Sequence, residues 1–223
     1  SCITTARLAF NKETPIAENA VIWFCGIGGC AARHAATELQ AGGVGALVSF
    51  GVAGALEPGL KSGDLVLPES ILVADKKYPT TSIWRNQLQQ MLCSSQLNIV
   101  DDTLASSPTT LTTEQEKRHF AETTGACAVD MESGAIAEVA AQSGTPFIVI
   151  RAIIDPVEFS PPEALLSAIK PDGSVNALRL ATLILNRSVS ISSLLHLAKG
   201  MRAARKTLTA VIQSAGVQLG REI

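Results

Sequence analysis

The chain has 223 residues, of which 47% are hydrophobic, 17% charged and only 4% aromatic, and its formal net charge is −2. A polypeptide of this size and apolar content fills one globular domain with a full core, which excludes a disordered tail, a collagen-like repeat and a long coiled coil. Every apolar run is interrupted short of the roughly 18 residues a membrane span needs. The opening SCITTARLAFNKE lacks the basic start and apolar stretch of a signal peptide, and its first residue, Ser1 instead of Met, suggests trimming or an artificial boundary. Five cysteines, at 2, 25, 30, 93 and 127, are odd in number and include no Cys-x-x-Cys pair. They read as reduced thiols of a cytoplasmic protein, with neither a disulfide framework nor a metal site. Residues 1–169 carry 10 basic and 18 acidic groups, whereas residues 170–223 carry 8 basic and 2 acidic groups. A basic C-terminal quarter on an acidic body hints at an anionic surface as partner.

In chain order, residues 20–25 (AVIWFC) predict a short strand ending in Gly26-Ile27-Gly28-Gly29. Residues 31–41 have helical spacing and stop at Gly42 and Gly43. Residues 44–50 predict a second buried strand, with a glycine turn at 51–54. Two strands joined by a helix of this length imply a parallel, right-handed crossover. Residues 64–73 are rich in β-branched side chains but broken by Pro68, which suggests an edge or bent strand. Residues 81–92 predict a helix with Ile83, Leu88 and Leu92 on one side, and residues 93–113 are polar and carry no clear period. A helix at 113–123, a strand at 126–130, a helix at 133–142 and a strongly apolar strand at 147–154 follow. The alternation argues for one α/β domain spanning residues 1–223, a three-layer α/β/α sandwich around a mixed, largely parallel sheet. From about residue 190 a basic helix closes the chain, with Leu194, Leu197, Met201, Leu208 and Val211 or Ile212 on its apolar side. Lys199, Arg202, Arg205 and Lys206 fill its polar side. This pattern fits either a packed helix with a solvated basic face or weak peripheral contact with anionic lipid.

In α/β folds ligands gather at the carboxyl ends of strands, and three segments place chemically distinctive residues there. The first, 26–31, satisfies G-x-G-x-x-A, but no carboxylate follows until Glu57, which counts against a dinucleotide site. Its glycines still allow backbone N–H groups close to an anion or a sugar, the alternative being a plain tight turn. The second is Val129-Asp130-Met131-Glu132-Ser133. Glu132 opens a helix and is either a favourable charge at its N-terminus or a carboxylate that grips vicinal hydroxyls. The third is 151–155, an apolar strand that ends on Asp155. That residue is either a turn former before Pro156 or, in a desolvated pocket, a proton donor to a weak base.

GIG at 26–28, FGVAGAL at 50–56 with SGDLVLP at 62–68, VDMES at 129–133 and RAIID at 151–155 together resemble the purine nucleoside phosphorylase and methylthioadenosine/S-adenosylhomocysteine nucleosidase superfamily, over roughly residues 20–160. YPTTSIWR at 78–85, IKPDGSVN at 169–176 and the basic tail resemble its branch of hopanoid-associated phosphorylases. That resemblance implies removal of adenine from adenosylhopane in hopanoid synthesis. It also implies a small-molecule purine nucleoside as partner, no nucleic acid, a homo-oligomer, and no cofactor beyond phosphate as a co-substrate. Residue by residue, Asp155 matches the acid that protonates purine N7, and Glu132 matches the carboxylate on the ribose hydroxyls with Met131 beneath the sugar. Ala53 and Gly54 match the loop beside base and ribose, Gly28 faces the nucleophile, and Arg151 is the strand arginine near it. The departures concern the nucleophile. Val52 stands where phosphorylases carry Ser or Thr, Ser49 stands where many carry Arg, and Ile154 replaces the acid's usual serine neighbour. Phosphate is therefore not expected to be strongly required. Glu13, or Asn11 in its place, is the candidate for activating water.

Outside these motifs, His34, His119 and His196 are isolated and read as surface or half-buried residues. Cys25 and Cys30 flank the glycine loop and read as packing, while Tyr78 and Trp84 are candidates for an apolar acceptor channel. The competing readings are a nucleoside-binding domain without turnover, a phosphate-dependent purine nucleoside phosphorylase and, on the glycine pattern alone, a dinucleotide-binding oxidoreductase.

Overall fold

The computed structural model describes residues 9–159, 161–170, 172 and 174–221, so Cys2, Pro171 and Gly173 lie outside the described residues. The chain begins with an antiparallel ribbon of Glu13–Ala17 (β1) and Ala20–Trp23 (β2). Helix Gly29–Ala41 (α1) leads to strand Leu47–Ala55 (β3). Here the expected crossover fails, because β2 spends its backbone pairing on β1 and never joins the sheet of β3. The glycine segment also differs from expectation. β3 runs straight through residues 51–54, since a neighbouring strand fills the space that side chains there would need. The Arg151 guanidinium lies against Gly51, and an Asp155 carboxylate oxygen lies 3.4 Å from where a Cβ of Gly54 would be.

Strands Leu65–Val66 (β4), Ser70–Val73 (β5) and Lys76–Pro79 (β6) precede helix Ser82–Leu92 (α2). The polar stretch resolves into Ile99–Val100 (β7) and Leu104–Ser106 (β8), too short to show a period in sequence. Helix Glu114–Thr124 (α3), strand Ala128–Asp130 (β9), helix Ser133–Ser143 (α4) and strand Phe147–Asp155 (β10) complete the main body. Helices Glu163–Leu166 (α5), Ala177–Leu185 (α6) and Ile191–Ala215 (α7) follow.

Eight strands form one mixed sheet in the order β6-β5-β8-β9-β3-β10-β4-β7. Only three residues, 67–69, separate β4 from β5, and they reach at most about 14 Å. Four strands lie between β4 and β5 in the sheet, which would set them roughly 24 Å apart if it were flat. The sheet must therefore curl until its flanks meet, and the N–H groups of Leu67 and Glu69 donate to the carbonyls of Val100 and Asp101. Pro68 sits at this bend, so the segment is bent and not an edge.

α1 and α4 pack together on one face, while α7 and α2 cover the other. β10 shows the alternation that two covered faces require. Phe147, Val149 and Ile153 join the cluster containing Ala36, Ala137 and Ala140, whereas Ile148 and Ile150 join Trp84, Leu88 and Val211. α3 adds Phe120 and Ala121 over Leu72, Ala105 and Val129. The three-layer arrangement is thus as expected, with two corrections to helix faces. Ile83 of α2 is exposed, and Trp84, Leu88 and Leu92 face the core, because Trp84 donates to the Leu219 carbonyl at 2.8 Å. On α7, Val211 is buried and Leu208 and Ile212 pack beside it as expected, but Gly200, Ala204, Thr207 and Ala215 also face the core and Met201 is exposed. Small residues win there because the helix lies so close to β10 that larger ones do not fit. Among the described residues no helix is long and apolar enough to cross a membrane.

Candidate active site

The register of three strands brings the second and third motifs together. Gly54 of β3 pairs with Asp155 of β10 on one side and with Val129 of β9 on the other. Along β10, residues 147–153 pair one to one with 47–53, but Asp155 follows Ile153 in the register and Ile154 is left over as a bulge. A one-residue slip turns a side chain to the opposite face of a sheet. Arg151, before the bulge, therefore points toward α4, and Asp155, after it, points toward α3.

On the α4 side the charges are tightly organised. Asp130 accepts N–H bonds from Glu132 (3.3 Å) and Ser133 (3.2 Å) and the Ser133 hydroxyl, so it caps α4. Asp130 thus supplies the side-chain cap bonds, while Glu132 stands at the N-cap position and makes no side-chain cap bond. Its carboxylate instead accepts the Gly28 N–H at 2.8 Å and lies 3.6 Å from Arg151 Nη1. Gly28 has φ +99°, a value glycine adopts freely, which lets its amide aim at Glu132. Arg151 also pairs with Asp130 at 2.8 Å and donates to Ser49 Oγ (2.7 Å), Ser133 Oγ (3.1 Å) and the Val52 carbonyl (3.3 Å). Burial raises the proton affinity of Glu132 above the ordinary carboxylate range, with Asp130 adding to the rise and Arg151 opposing it.

On the α3 side stands a residue that sequence reasoning missed. Lys117 is 1% exposed and donates to an Asp155 carboxylate oxygen and to the carbonyls of Pro156 and Phe159, both at 2.9 Å. Within EQEKRH it looks like one more solvated charge. The available signal was helical spacing, because Lys117 shares a stripe with Phe120 and Ala121, which pack on the sheet. Burial raises the proton affinity of Asp155, and the Lys117 ammonium, then His196, pull it back down. His196 of α7 stacks on Phe159 with ring centroids 4.0 Å apart, so this histidine is tied to the site's rim.

Of the other candidates, Ala53 is buried beside Gly54, and Met131 is half-buried with its sulfur accepting from the Thr110 hydroxyl at 3.4 Å. Glu13 is exposed in β1 opposite Trp23, and among the described residues it has no hydrogen bond or ion pair to the cluster. Asn11 accepts from the Trp23 indole at 3.2 Å. Burial, then the charge of Glu132, push the Cys25 thiol up from its ordinary value, and Cys30 is exposed. Trp84 is a core residue, not a channel lining, and Tyr78 packs against the main cluster.

Solved structures of similar fold include an MTAN of Helicobacter pylori holding 5'-methylthioadenosine in its active site (TM-score 0.63, 17% identity, 91% of this chain and 88% of that one). Another is the futalosine hydrolase of the same organism (TM-score 0.60, 19% identity, 84% and 76%). A third is a methylthioadenosine/S-adenosylhomocysteine nucleosidase of Colwellia psychrerythraea in complex with adenine (TM-score 0.59, 24% identity, 75% and 76%). No curated protein matches. The family model described as the phosphorylase superfamily matches residues 14–187, which takes in the ribbon except Glu13, the whole sheet, the Asp130–Glu132–Arg151 network and Asp155, and the chain belongs to that superfamily.

Proposed function

We propose that the chain cleaves the N-glycosidic bond of a purine nucleoside that carries a 5'-substituent, releasing adenine. The observation that carries this reading is Gly54 flanked by Asp155 on one strand and by the 129–133 segment on the other. A purine leaves poorly as an anion, and a proton delivered to N7 lets it leave as neutral adenine while the bonding pair departs with the base. Asp155 is the donor, because burial keeps its proton to higher pH than an ordinary aspartate. Positive charge then develops on the ribosyl ring, next to Glu132, which holds the ribose hydroxyls and opposes that charge. Half-buried Met131 and Gly54 lie under sugar and base, with buried Ala53 backing them. Two of the solved structures of similar fold hold 5'-methylthioadenosine and adenine, which supports a nucleoside of this class.

Water is the nucleophile we favour over tightly held phosphate. Ser49 and Val52 offer no cation, and Arg151 is bracketed by Asp130 and Glu132, so this triplet is net negative and repels a phosphate dianion. The finer reading, adenosylhopane as substrate of a cytoplasmic homo-oligomer touching the inner membrane surface, is supported by the resemblance at 78–85 and 169–176. The run from 174 to 221, with seven basic residues and no acid, supports it too. The test is release of adenine from 5'-substituted adenosines by the purified protein, with and without phosphate. Asp155→Asn, shown folded by its melting curve, should release none, whereas near wild-type rates would remove Asp155 from the acid role. Ribose 1-phosphate products that saturate at low phosphate would overturn the choice of water.

A further inference from the structure

A lysine buried beside an aspartate is an expensive way to fill a protein interior, since apolar side chains of similar volume usually serve stability as well or better. Lys117 and Asp155 nevertheless show side-chain exposures of only 2% and 6%. The placement is firmly built. α3 begins with a reciprocal capping box, in which Thr113 Oγ1 accepts the Glu116 N–H at 3.1 Å and the Glu116 carboxylate accepts the Thr113 N–H at 3.0 Å. Lys117 follows directly and reaches across to the end of β10. Its ammonium has three donors, and they go to Asp155, Pro156 and Phe159, so one side chain ties the carboxyl to the turn that follows it.

We propose that Lys117 is a positioning residue for departure of the base, fixing the Asp155 carboxyl and setting the pH range over which that carboxyl holds the proton the purine takes. The proposal rests on the reading of Asp155 as the acid. In the step itself the Asp155 O–H bond breaks, the proton passes to N7, and the electron pair stays on the carboxylate oxygen. The ammonium faces the charge as it forms and needs no rearrangement to do so. Lys117 therefore makes Asp155 a stronger acid while narrowing the pH range in which it is loaded. β3 presents uncharged Gly54, and α7 presents His196, stacked on Phe159. Asp130, Glu132 and Arg151 are paired among themselves.

The experiment is the pH profile of kcat/KM for adenine release from a 5'-substituted adenosine, measured for wild type, Lys117→Met, Lys117→Gln and Lys117→Arg. An opposite charge at this range holds a carboxyl about 1 to 3 pH units lower than it would otherwise sit. The alkaline limb should move up by about one pH unit or more in the Met and Gln variants. Their plateau rate should fall, and Lys117→Arg should keep the wild-type limb. Should Lys117→Met fail to fold, Lys117→Gln retains an amide donor for the Pro156 or Phe159 carbonyl and decides the matter alone. The same profile in a His196→Gln background assigns the limb, which should persist there. A limb that stays put in the neutral variants, or vanishes with His196, overturns the proposal. Activity retained by folded Asp155→Asn instead overturns the underlying reading of the acid, so the two failures are told apart.

Discussion

Asp130 and Glu132 are near neighbours with the same chemistry, yet the fold gives them different work. Asp130 is spent on the N-terminus of α4 and on Arg151, so its oxygens are full. Glu132 keeps a looser set of partners, one backbone amide and a guanidinium at 3.6 Å, and 17% of its side chain is exposed. A carboxylate so held is oriented but not saturated, which is what a grip on ribose hydroxyls needs. Glu132→Gln should therefore lower the rate by about 100-fold or more through lost alignment and lost charge. An unchanged rate would leave Glu132 with the structural task of fixing the Gly28 loop. The same substitution has a pH signature. A carboxyl whose folded-state proton affinity is raised contributes stability at low pH that is lost as pH rises through its folded value. The melting temperature of Glu132→Gln should accordingly fall less steeply than that of wild type as pH rises above the ordinary glutamate range. Sequence reasoning could single out Asp155, Glu132 and Arg151 because charges at the ends of apolar strands are conspicuous. It could not single out Lys117, because one buried cation within a charged helix is distinguished only by the stripe it occupies.

At the scale of elements, the position of Asp155 depends on a contact between α7 and the β10 bulge. A Cβ on Gly200 would collide with the Ile154 carbonyl, the same oxygen that accepts from Ser62 Oγ at 2.8 Å. In an exposed helix interior, replacing glycine with alanine gains about 1 kcal/mol. Here the added methyl meets backbone and no flexible side chain, and overpacking of that kind costs about 1 to 3 kcal/mol. Gly200→Ala should thus be destabilising despite the better helix former, and by shifting the bulge it should lower kcat/KM for adenine release. A melting curve and an initial-rate measurement check both parts, and a raised melting temperature with unchanged rate would show that the bulge tolerates the helix moving away. The longer helices, the 147–154 strand and the bend at Pro68 were legible from apolar period and breakers. The ribbon pairing of β2, the continuation of β3 through its glycines, and the small-residue face of α7 were not. Each is decided by a neighbour distant in sequence, such as Arg151 against Gly51 or Ile154 against Gly200, which local pattern does not contain.

For the molecule as a whole, charge and apolar exposure gather at the C-terminal end. From 174 to 221 there are seven basic residues and no acid, and Lys199, Arg202, Arg205 and Lys206 are all exposed on α7. α6 buries none of its residues, with Leu178 at 83% and Leu185 at 81% exposure, seven positions apart and so on one side of the helix. Two copies of this region facing each other would bring like charges together, which disfavours it as a self-association surface. No Phe, Trp or Tyr follows Phe159, and the ring of His196 is already stacked on Phe159, so the region offers no aromatic platform for successive bases. Basic charge combined with exposed leucines suits the headgroup region of an anionic bilayer, which is the basis for the proposed membrane contact. Each near-surface cation adds about 1 kcal/mol of attraction, enough for weak docking that salt weakens. Sedimentation with vesicles should therefore show binding to anionic but not neutral lipid at low salt and release as salt is raised. Changing Lys199, Arg202, Arg205 and Lys206 together to Gln should abolish binding while leaving adenine release from a water-soluble 5'-substituted adenosine intact. Changing Leu178 and Leu185 to Ser should weaken binding at every salt concentration, since that part of the attraction is not electrostatic. Equal binding to both kinds of vesicle, or binding that survives loss of all four charges, would confine the C-terminal helices to packing against β10 and α2.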